Sequence, residues 1–99
     1  MKIYAITCLE CIEEKNTWPY FGATSFMGYY TDKDTAINAV KENRCDIAER
    51  CYNYAVVEEI PEGLYAYPRP RWFFKYDVDK DIYFSVAEPE FMKYIANIL

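Results

Sequence analysis

The sequence contains no histidine and only three glycines, and no apolar run approaches the roughly 20 residues of a membrane-spanning helix. Without histidine, Ser–His–Asp triads, histidine general bases and histidine metal ligands are all excluded. Basic residues are also in the minority, with 11 against 16 acidic residues. The resulting net charge of −5 disfavours non-specific binding to duplex nucleic acid.

What remains is a short chain that is rich enough in apolar residues to fold. Its 99 residues fit a single domain over residues 1–99, and 53% hydrophobic content against 27% charged residues excludes intrinsic disorder. The first residues lack a basic segment followed by a long apolar stretch, so no secretory signal is expected. We therefore expect a cytoplasmic protein with reduced thiols and no membrane partner.

The four cysteines form two pairs, Cys8 with Cys11 and Cys45 with Cys51. The first pair is a C-x-x-C, a spacing that suggests zinc or redox chemistry. The second pair has five intervening residues, which matches common zinc spacings poorly. The acidic stretch after Cys11 would raise the pKa of a thiol there. We therefore favour small buried or half-buried thiols, with no metal and no cofactor.

Hydrophobic patterning predicts five strands and two helices. The strands are expected at residues 2–9, 22–30, 53–60, 72–77 and 82–87, and residues 64–67 are a further short candidate. A first helix begins at Thr31 or Asp32, and Glu88 and Pro89 open a second one. The prediction is an α+β fold with a mostly antiparallel sheet in the order β-β-α-β-β-β-α. Both helices are expected to pack on one face, leaving an apolar surface on the other.

The end of the first helix has two interpretations. One continuous helix over residues 32–51 would place Arg44 on the apolar stripe between Val40 and Ile47, which is unfavourable without a partner. The preferred alternative is two helical pieces with a kink near residues 43–45, where Asn43 is a plausible left-handed stop.

Aromatic residues are unusually abundant, with 11 Tyr, 6 Phe and 2 Trp. A domain this small cannot bury nineteen aromatic side chains completely, because its surface fraction is high. Interfaces favour tyrosine, tryptophan and arginine. We therefore expect an interface with a ligand, a partner or another copy, most simply in a two-fold homo-oligomer.

One segment combines aromatic rings with a local concentration of positive charge. The candidate ligand-binding residues in it are Tyr65, Tyr67, Arg69, Arg71 and Trp72. Guanidinium groups match phosphate or carboxylate geometry and aromatic rings stack on bases, so the pattern suits a nucleotide-like ligand. The competing interpretation is a proline-bounded edge followed by a packed strand.

A second set of residues is acidic and could in principle perform acid–base work or bind a hard cation. Its members are Glu10, Glu13, Glu14, Glu58, Glu59 and Glu62. No D-x-D-x-D-G loop accompanies them, so a solvated surface is the favoured interpretation.

Two stretches of the chain resemble a family of small uncharacterised proteins found in phages, prophages and low-GC Gram-positive bacteria. The resemblance covers residues 28–43, residues 46–47, the run Y-A-V-V-E-E-I over residues 54–60, and the later G-L-Y, W-F and E-P-E-F motifs. These motifs are structural and bring no catalytic residues with them. The resemblance implies a host-directed protein in the bacterial cytoplasm, including the class that inhibits bacterial immune systems.

Three functions follow as hypotheses. The first is a non-catalytic protein that sequesters a small anionic, nucleotide-derived signal. The second is an interaction module that blocks a host defence protein through an acidic, aromatic surface. The third and least favoured is an enzyme, since its base would need to be a carboxylate, lysine or tyrosine with a shifted pKa.

Overall fold

The computed structural model describes residues 1–12, 20–48, 52–63, 69–89 and 92. These residues form one five-stranded antiparallel sheet in the spatial order β2-β1-β3-β4-β5, with a single α-helix packed on it. The elements in chain order are β1 (Lys2–Ile12), β2 (Tyr20–Tyr30), α1 (Lys33–Lys41), a 3₁₀ turn (Arg44–Asp46), β3 (Tyr54–Pro61), β4 (Arg71–Asp77) and β5 (Ile82–Val86).

The sheet is built around β1 and β3, which carry apolar side chains on both of their faces. Their pairing extends from Lys2 opposite Pro61 to Leu9 opposite Tyr54, which places the third strand directly beside the first. Strands buried on two sides show near-continuous apolar runs, as both of these do. This central pair places β2 and β5 at the two edges of the sheet.

Helix α1 begins and ends where local side-chain chemistry requires. The Asp32 carboxylate accepts a hydrogen bond from the backbone N–H of Thr35 at 2.9 Å, which satisfies one of the free amides of the first turn. At the other end Asn43 adopts a left-handed conformation with a φ of 50°, which no α-helix continues through. The kink predicted near residues 43–45 is therefore confirmed, and one helix over residues 32–51 is excluded.

Apolar side chains pack on both faces of the sheet. On the helix face, the cluster under α1 consists of Ile6, Cys8, Ala36, Ala39, Val40, Ala48, Tyr52, Ala55, Val57, Phe74 and Tyr83. On the far face, opposite α1, a second cluster consists of Leu9, Cys11, Tyr54, Val56, Phe73 and Met92. Strand alternation produces this division, because successive side chains point to opposite faces.

The structure corrects two parts of the sequence-based prediction. The centre of the far face is not an open apolar surface, since Leu9 and Val56 are buried there and Met92 packs against them, whereas Phe26, Tyr29 and Phe84 are exposed toward its edges. The described residues contain one α-helix, and the predicted second one falls mostly on residues outside the described ranges. The short strand considered at residues 64–67 also lies outside them. With nine residues, α1 is too short to cross a bilayer, and no other described helix is long and apolar enough.

Candidate functional site

Arg71 and Trp72, two of the residues predicted to bind the ligand, do not lie on one surface. Arg71 and Trp72 are consecutive residues of β4, so their side chains project to opposite faces of the sheet. Tyr65 and Tyr67 lie outside the described residues. The structure therefore places the guanidinium of Arg71 and the ring of Trp72 on opposite faces, although both were predicted to bind the same ligand.

Arg71 is engaged on the far face with neighbours of opposite charge. Its guanidinium lies 2.7 Å from a carboxylate oxygen of Glu88, and only 12% of its side chain is exposed. It also lies 5.3 Å from the centre of the Phe73 ring. In the strand register Arg71 stands opposite Glu58, which is fully buried. Buried charges in proteins are usually paired, and Arg71 is the cation that the strand register places opposite Glu58.

The burial of Glu58 corrects the expectation that the acidic set forms a solvated surface. Glu58 lies on a central strand, where its position in the alternation turns its side chain to the covered far face. Glu62, at the end of the same strand, is exposed as expected. Glu13 and Glu14 are outside the described residues.

Arg69 and Trp72, the other two predicted site residues that the structure describes, also make contacts within the protein. Arg69 is buried and makes interactions within the protein. Trp72 is half-buried on the helix face, with its ring 6.3 Å from that of Tyr4 and 5.3 Å from the ammonium of Lys33. Trp72 therefore packs between the sheet and the start of α1.

A concave site lies elsewhere, on the helix face between the end of β2 and the segment that follows α1. This pocket has a volume of about 310 Å³. Its lining residues are Ile6, Met27, Gly28, Tyr29, Tyr30, Ala39, Arg44, Cys45 and Ile47. The lining combines apolar walls with one guanidinium, two tyrosines and one thiol, which is the composition typical of a small-molecule site.

Arg44 supplies the positive charge of this pocket. Its guanidinium donates to the hydroxyl of Tyr30 at 3.2 Å and to a carboxylate oxygen of Glu42 at 2.8 Å. It also lies 6.0 Å from the centre of the Tyr30 ring. The hydrogen bonds that Arg44 donates to Glu42 and Tyr30 raise the pKa of Arg44, so the side chain stays charged. Because 43% of that side chain is exposed, an incoming ligand can reach it.

The loop that presents Arg44 and Cys45 is held by Asn43. The buried Asn43 amide donates to carboxylates of Asp46 at 3.2 Å and Asp81 at 3.0 Å. Its carbonyl oxygen accepts from the backbone N–H of Ala48 at 3.0 Å. Asn43, Cys45 and Asp46 all have φ values between 50° and 59°, a region that non-glycine residues seldom adopt. Such strain persists only where surrounding contacts fix the backbone, so the pocket wall is preorganised.

The cysteines are dispersed over three environments. Cys8 and Cys11 are both buried, as favoured from the sequence, but they belong to different core clusters. Burial raises the pKa of the Cys8 thiol to about 12, which makes it a poor nucleophile or ligand at neutral pH. Cys45 is exposed at the pocket, and Cys51 lies outside the described residues. Within the described ranges, no three His, Cys, Asp or Glu side chains come together to hold a metal ion.

Sequence reasoning did not identify the pocket, although it contained the necessary signals. Once Asn43 ends the helix, Arg44 leaves the helical stripe and becomes free to face β2. The pairing of β1 with β2 then determines which residues of β2 lie near Arg44, and a bulge between Ile6 and Thr7 shifts that register. An isolated glycine within a strand, here Gly28 with a φ of 145°, is a sequence sign of a bulge but does not fix the register, so the tyrosines were noted only as part of an aromatic surplus.

No family model, no curated protein and no solved structure matches this chain. The functional argument therefore depends on the residues of the chain and their geometry.

Proposed function

We propose that this protein is a non-catalytic binding protein that sequesters a small anionic, nucleotide-derived molecule in the pocket beside Arg44. The observation that carries the proposal is the placement of an accessible guanidinium next to the ring of Tyr30 in a preformed pocket. In this proposal the protein is a host-directed phage-type protein, and it depletes a signalling molecule by binding without turnover.

The lining of the pocket fits the two chemical parts of a nucleotide. A guanidinium can form paired hydrogen bonds with phosphate oxygens, while tyrosine rings stack on the flat face of a base. A volume of about 310 Å³ lies at the small end of ligand pockets, which range over roughly 300–1,000 Å³. This size favours a mononucleotide-sized ligand over a dinucleotide.

The strength of each ion pair favours Arg44 over Arg71 as the phosphate ligand. The pair of Arg44 with Glu42 is exposed on both sides, and such surface pairs contribute at most about 1 kcal/mol. A phosphate can therefore replace Glu42 at little cost. Removing Arg71 from Glu88 would instead separate a largely buried guanidinium from a partner that is 38% exposed, which costs more than separating the surface pair.

The polar groups of the pocket support binding better than catalysis. Their side-chain members are the guanidinium of Arg44, the hydroxyl of Tyr30 and the thiol of Cys45, since the ring of Tyr29 projects to the far face. The described residues that line the pocket include no carboxylate and no histidine, the side chains that most often act as general bases. Binding without turnover needs only the shape and the charge that these residues provide.

Calorimetric titration of the wild-type protein tests the proposal, with 3′,5′-cyclic mononucleotides, cyclic dinucleotides and ADP-ribose as probes. We expect a mononucleotide-sized probe to bind, and Arg44→Ala to weaken its affinity roughly 10- to 150-fold, as for a lost charge-assisted hydrogen bond. Arg44→Lys should restore little if the contact is bidentate. Lys80→Ala is the matched control, because it removes one exposed positive charge from the β4–β5 turn without touching the pocket.

Two outcomes would contradict this assignment. If Arg71→Ala weakens binding while remaining folded and Arg44→Ala does not, the site belongs to the segment around Arg69 and Arg71. If none of the probes binds, the ligand proposal fails and the second candidate, a module that blocks a host protein, takes its place. That candidate is favoured by the exposed rings of Phe26 and Tyr29, which protein interfaces commonly bury.

A further inference from the structure

The edge strand β2 lacks charged residues and prolines, two of the features that normally prevent sheets from joining. Its 11 residues include no proline, lysine, arginine, aspartate or glutamate, and no described strand pairs with its outer edge. Natural edge strands are usually short or carry charges and prolines, because an unpaired row of N–H and C=O groups is a template for another strand. We propose that two copies of this chain pair through β2, antiparallel about a two-fold axis, to form one continuous ten-stranded sheet.

Two large side chains along this edge are left exposed. Phe26 and Tyr29 have 50% and 57% of their surfaces accessible. Phe26 is registered opposite Thr7 and Tyr29 opposite Ala5, and Thr7 and Ala5 project to the far face, so both rings lie on that face. Two aromatic side chains on one face of one strand are suited to packing against the same pair from a second copy.

The charge distribution favours a second copy of this chain at β2. Two molecules of net charge −5 repel each other, so a stable contact between them requires a segment without acidic groups. The whole of β2 is such a segment. Salt screens this repulsion, so a higher salt concentration should strengthen the dimer. A dimer held together by pairs of opposite charges would instead weaken as the salt concentration rises.

Symmetry and length favour β2 over the other edge strand. An antiparallel pair of identical strands has a two-fold axis at its centre, so the assembly closes at two copies. Pairing of β2 with β5 of another molecule would be head-to-tail and would grow into a fibre. β5 has only five residues, and short edge strands are less available for pairing.

The size of the contact sets its expected strength. A strand of 11 residues spans at most about 37 Å, which allows backbone hydrogen bonds between the copies along the regular stretches beside its two register irregularities. Phe26 and Tyr29 each expose roughly 100 Å² of ring surface, given totals of about 150–250 Å² for aromatic side chains. The rings of two copies therefore contribute about 400 Å², well below the roughly 1,200–2,000 Å² of a standard interface. We expect a dimer that dissociates in the micromolar range.

This inference goes beyond the proposed ligand site and does not depend on it. The two are neighbours, because Met27, Gly28, Tyr29 and Tyr30 form part of the pocket wall. A second β2 strand would run beside that wall. Dimer formation is measured without ligand, so failure of the dimer and failure of ligand binding are separate results.

Sedimentation equilibrium over a concentration range of about 1–100 µM tests the dimer. We expect the wild-type mass to rise from that of an 11.8 kDa monomer to twice that value. Phe26→Glu should weaken dimerisation at least roughly tenfold, because it places two carboxylates across the new strand pair. The matched control is Phe84→Glu, since Phe84 is 42% exposed on the far face at the opposite edge of the sheet. It should leave the mass unchanged.

A second variant helps to distinguish loss of the dimer from misfolding of one variant. Thr24→Glu alters an exposed position on the same strand and the same face, and it should also weaken the dimer. Circular dichroism and thermal melting confirm that each variant is folded. A wild-type protein that stays monomeric throughout the range would overturn the proposal. So would a dimer that Phe84→Glu dissociates and the β2 variants do not.

Discussion

Arg71 and Arg44 carry the same guanidinium group in two different environments. Arg71 is 12% exposed and is held by Glu88, whereas Arg44 is 43% exposed and is paired with a carboxylate that is itself exposed. Separating the largely buried Arg71 from Glu88 costs free energy, whereas the surface pair of Arg44 and Glu42 contributes little to stability. The sequence shows both arginines but not how far each is buried. The degree of burial indicates that Arg71 supports the fold and that Arg44 is available to bind a ligand.

Replacement of Arg71 tests this division at the level of stability. We expect Arg71→Ala to lower the free energy of unfolding by about 2–3 kcal/mol, since it removes the charged hydrogen bond to Glu88 and the cation registered opposite buried Glu58. Urea denaturation measures the loss. Lys80→Ala, an exposed control, should stay within about 0.5 kcal/mol of wild type. If Arg71→Ala unfolds at the same urea concentration as wild type, Arg71 has no structural role and regains its place as a candidate ligand residue.

At the scale of elements, the helix was the part best predicted from sequence. The pattern Thr-Asp-Lys-Asp marked its start and Asn43 its stop, because capping and left-handed backbone depend on the residue types themselves. The register set by the bulge in β2 and the packing of Met92 on the far face were not predictable, since they depend on contacts between distant segments. The pocket lies where α1 ends beside this bulge, which is why its position required the structure.

Asn43 is expected to be the residue that holds the pocket loop in place. Asn43→Ala removes three hydrogen bonds and leaves a side chain with a β-carbon at a φ of 50°, so it should destabilise more than Asn43→Gly. We expect a difference of about 1 kcal/mol between the two variants in urea denaturation. Equal stability of the two variants would show that the left-handed backbone is not under strain.

The helix cap predicts a dependence of stability on acid. Hydrogen bonds from Thr35 lower the pKa of Asp32 below its ordinary value of 3.8. A carboxyl with a lowered folded-state pKa stabilises the protein above its unfolded-state value, and the contribution disappears as the pH falls through the folded-state pKa. Asn also caps helices but does not titrate, so the melting temperature of Asp32→Asn should fall less than that of wild type between neutral pH and acid. Melting temperatures that fall by the same amount in the two proteins between neutral pH and acid would contradict this account.

For the whole molecule, the antiparallel sheet with a helix on one face followed from strand alternation and from the capped helix between the second and third strands. The location of the candidate site did not follow, because residues adjacent in sequence, such as Arg71 and Trp72, separate across a strand. Residues distant in sequence, such as Tyr30 and Arg44, meet instead at the pocket. The residue types in the sequence therefore indicated which type of ligand to propose. They did not indicate the surface to which that ligand would bind.

The most direct test of the account is a map of where a nucleotide binds on the folded protein. The measurement is a titration of backbone amide chemical shifts with the probe that binds most tightly in calorimetry. The account predicts that the largest saturable shifts fall on residues 27–30 and 44–47, which line the pocket from two sides. Shifts concentrated instead at residues 69–72, or shifts that do not saturate anywhere, would contradict it.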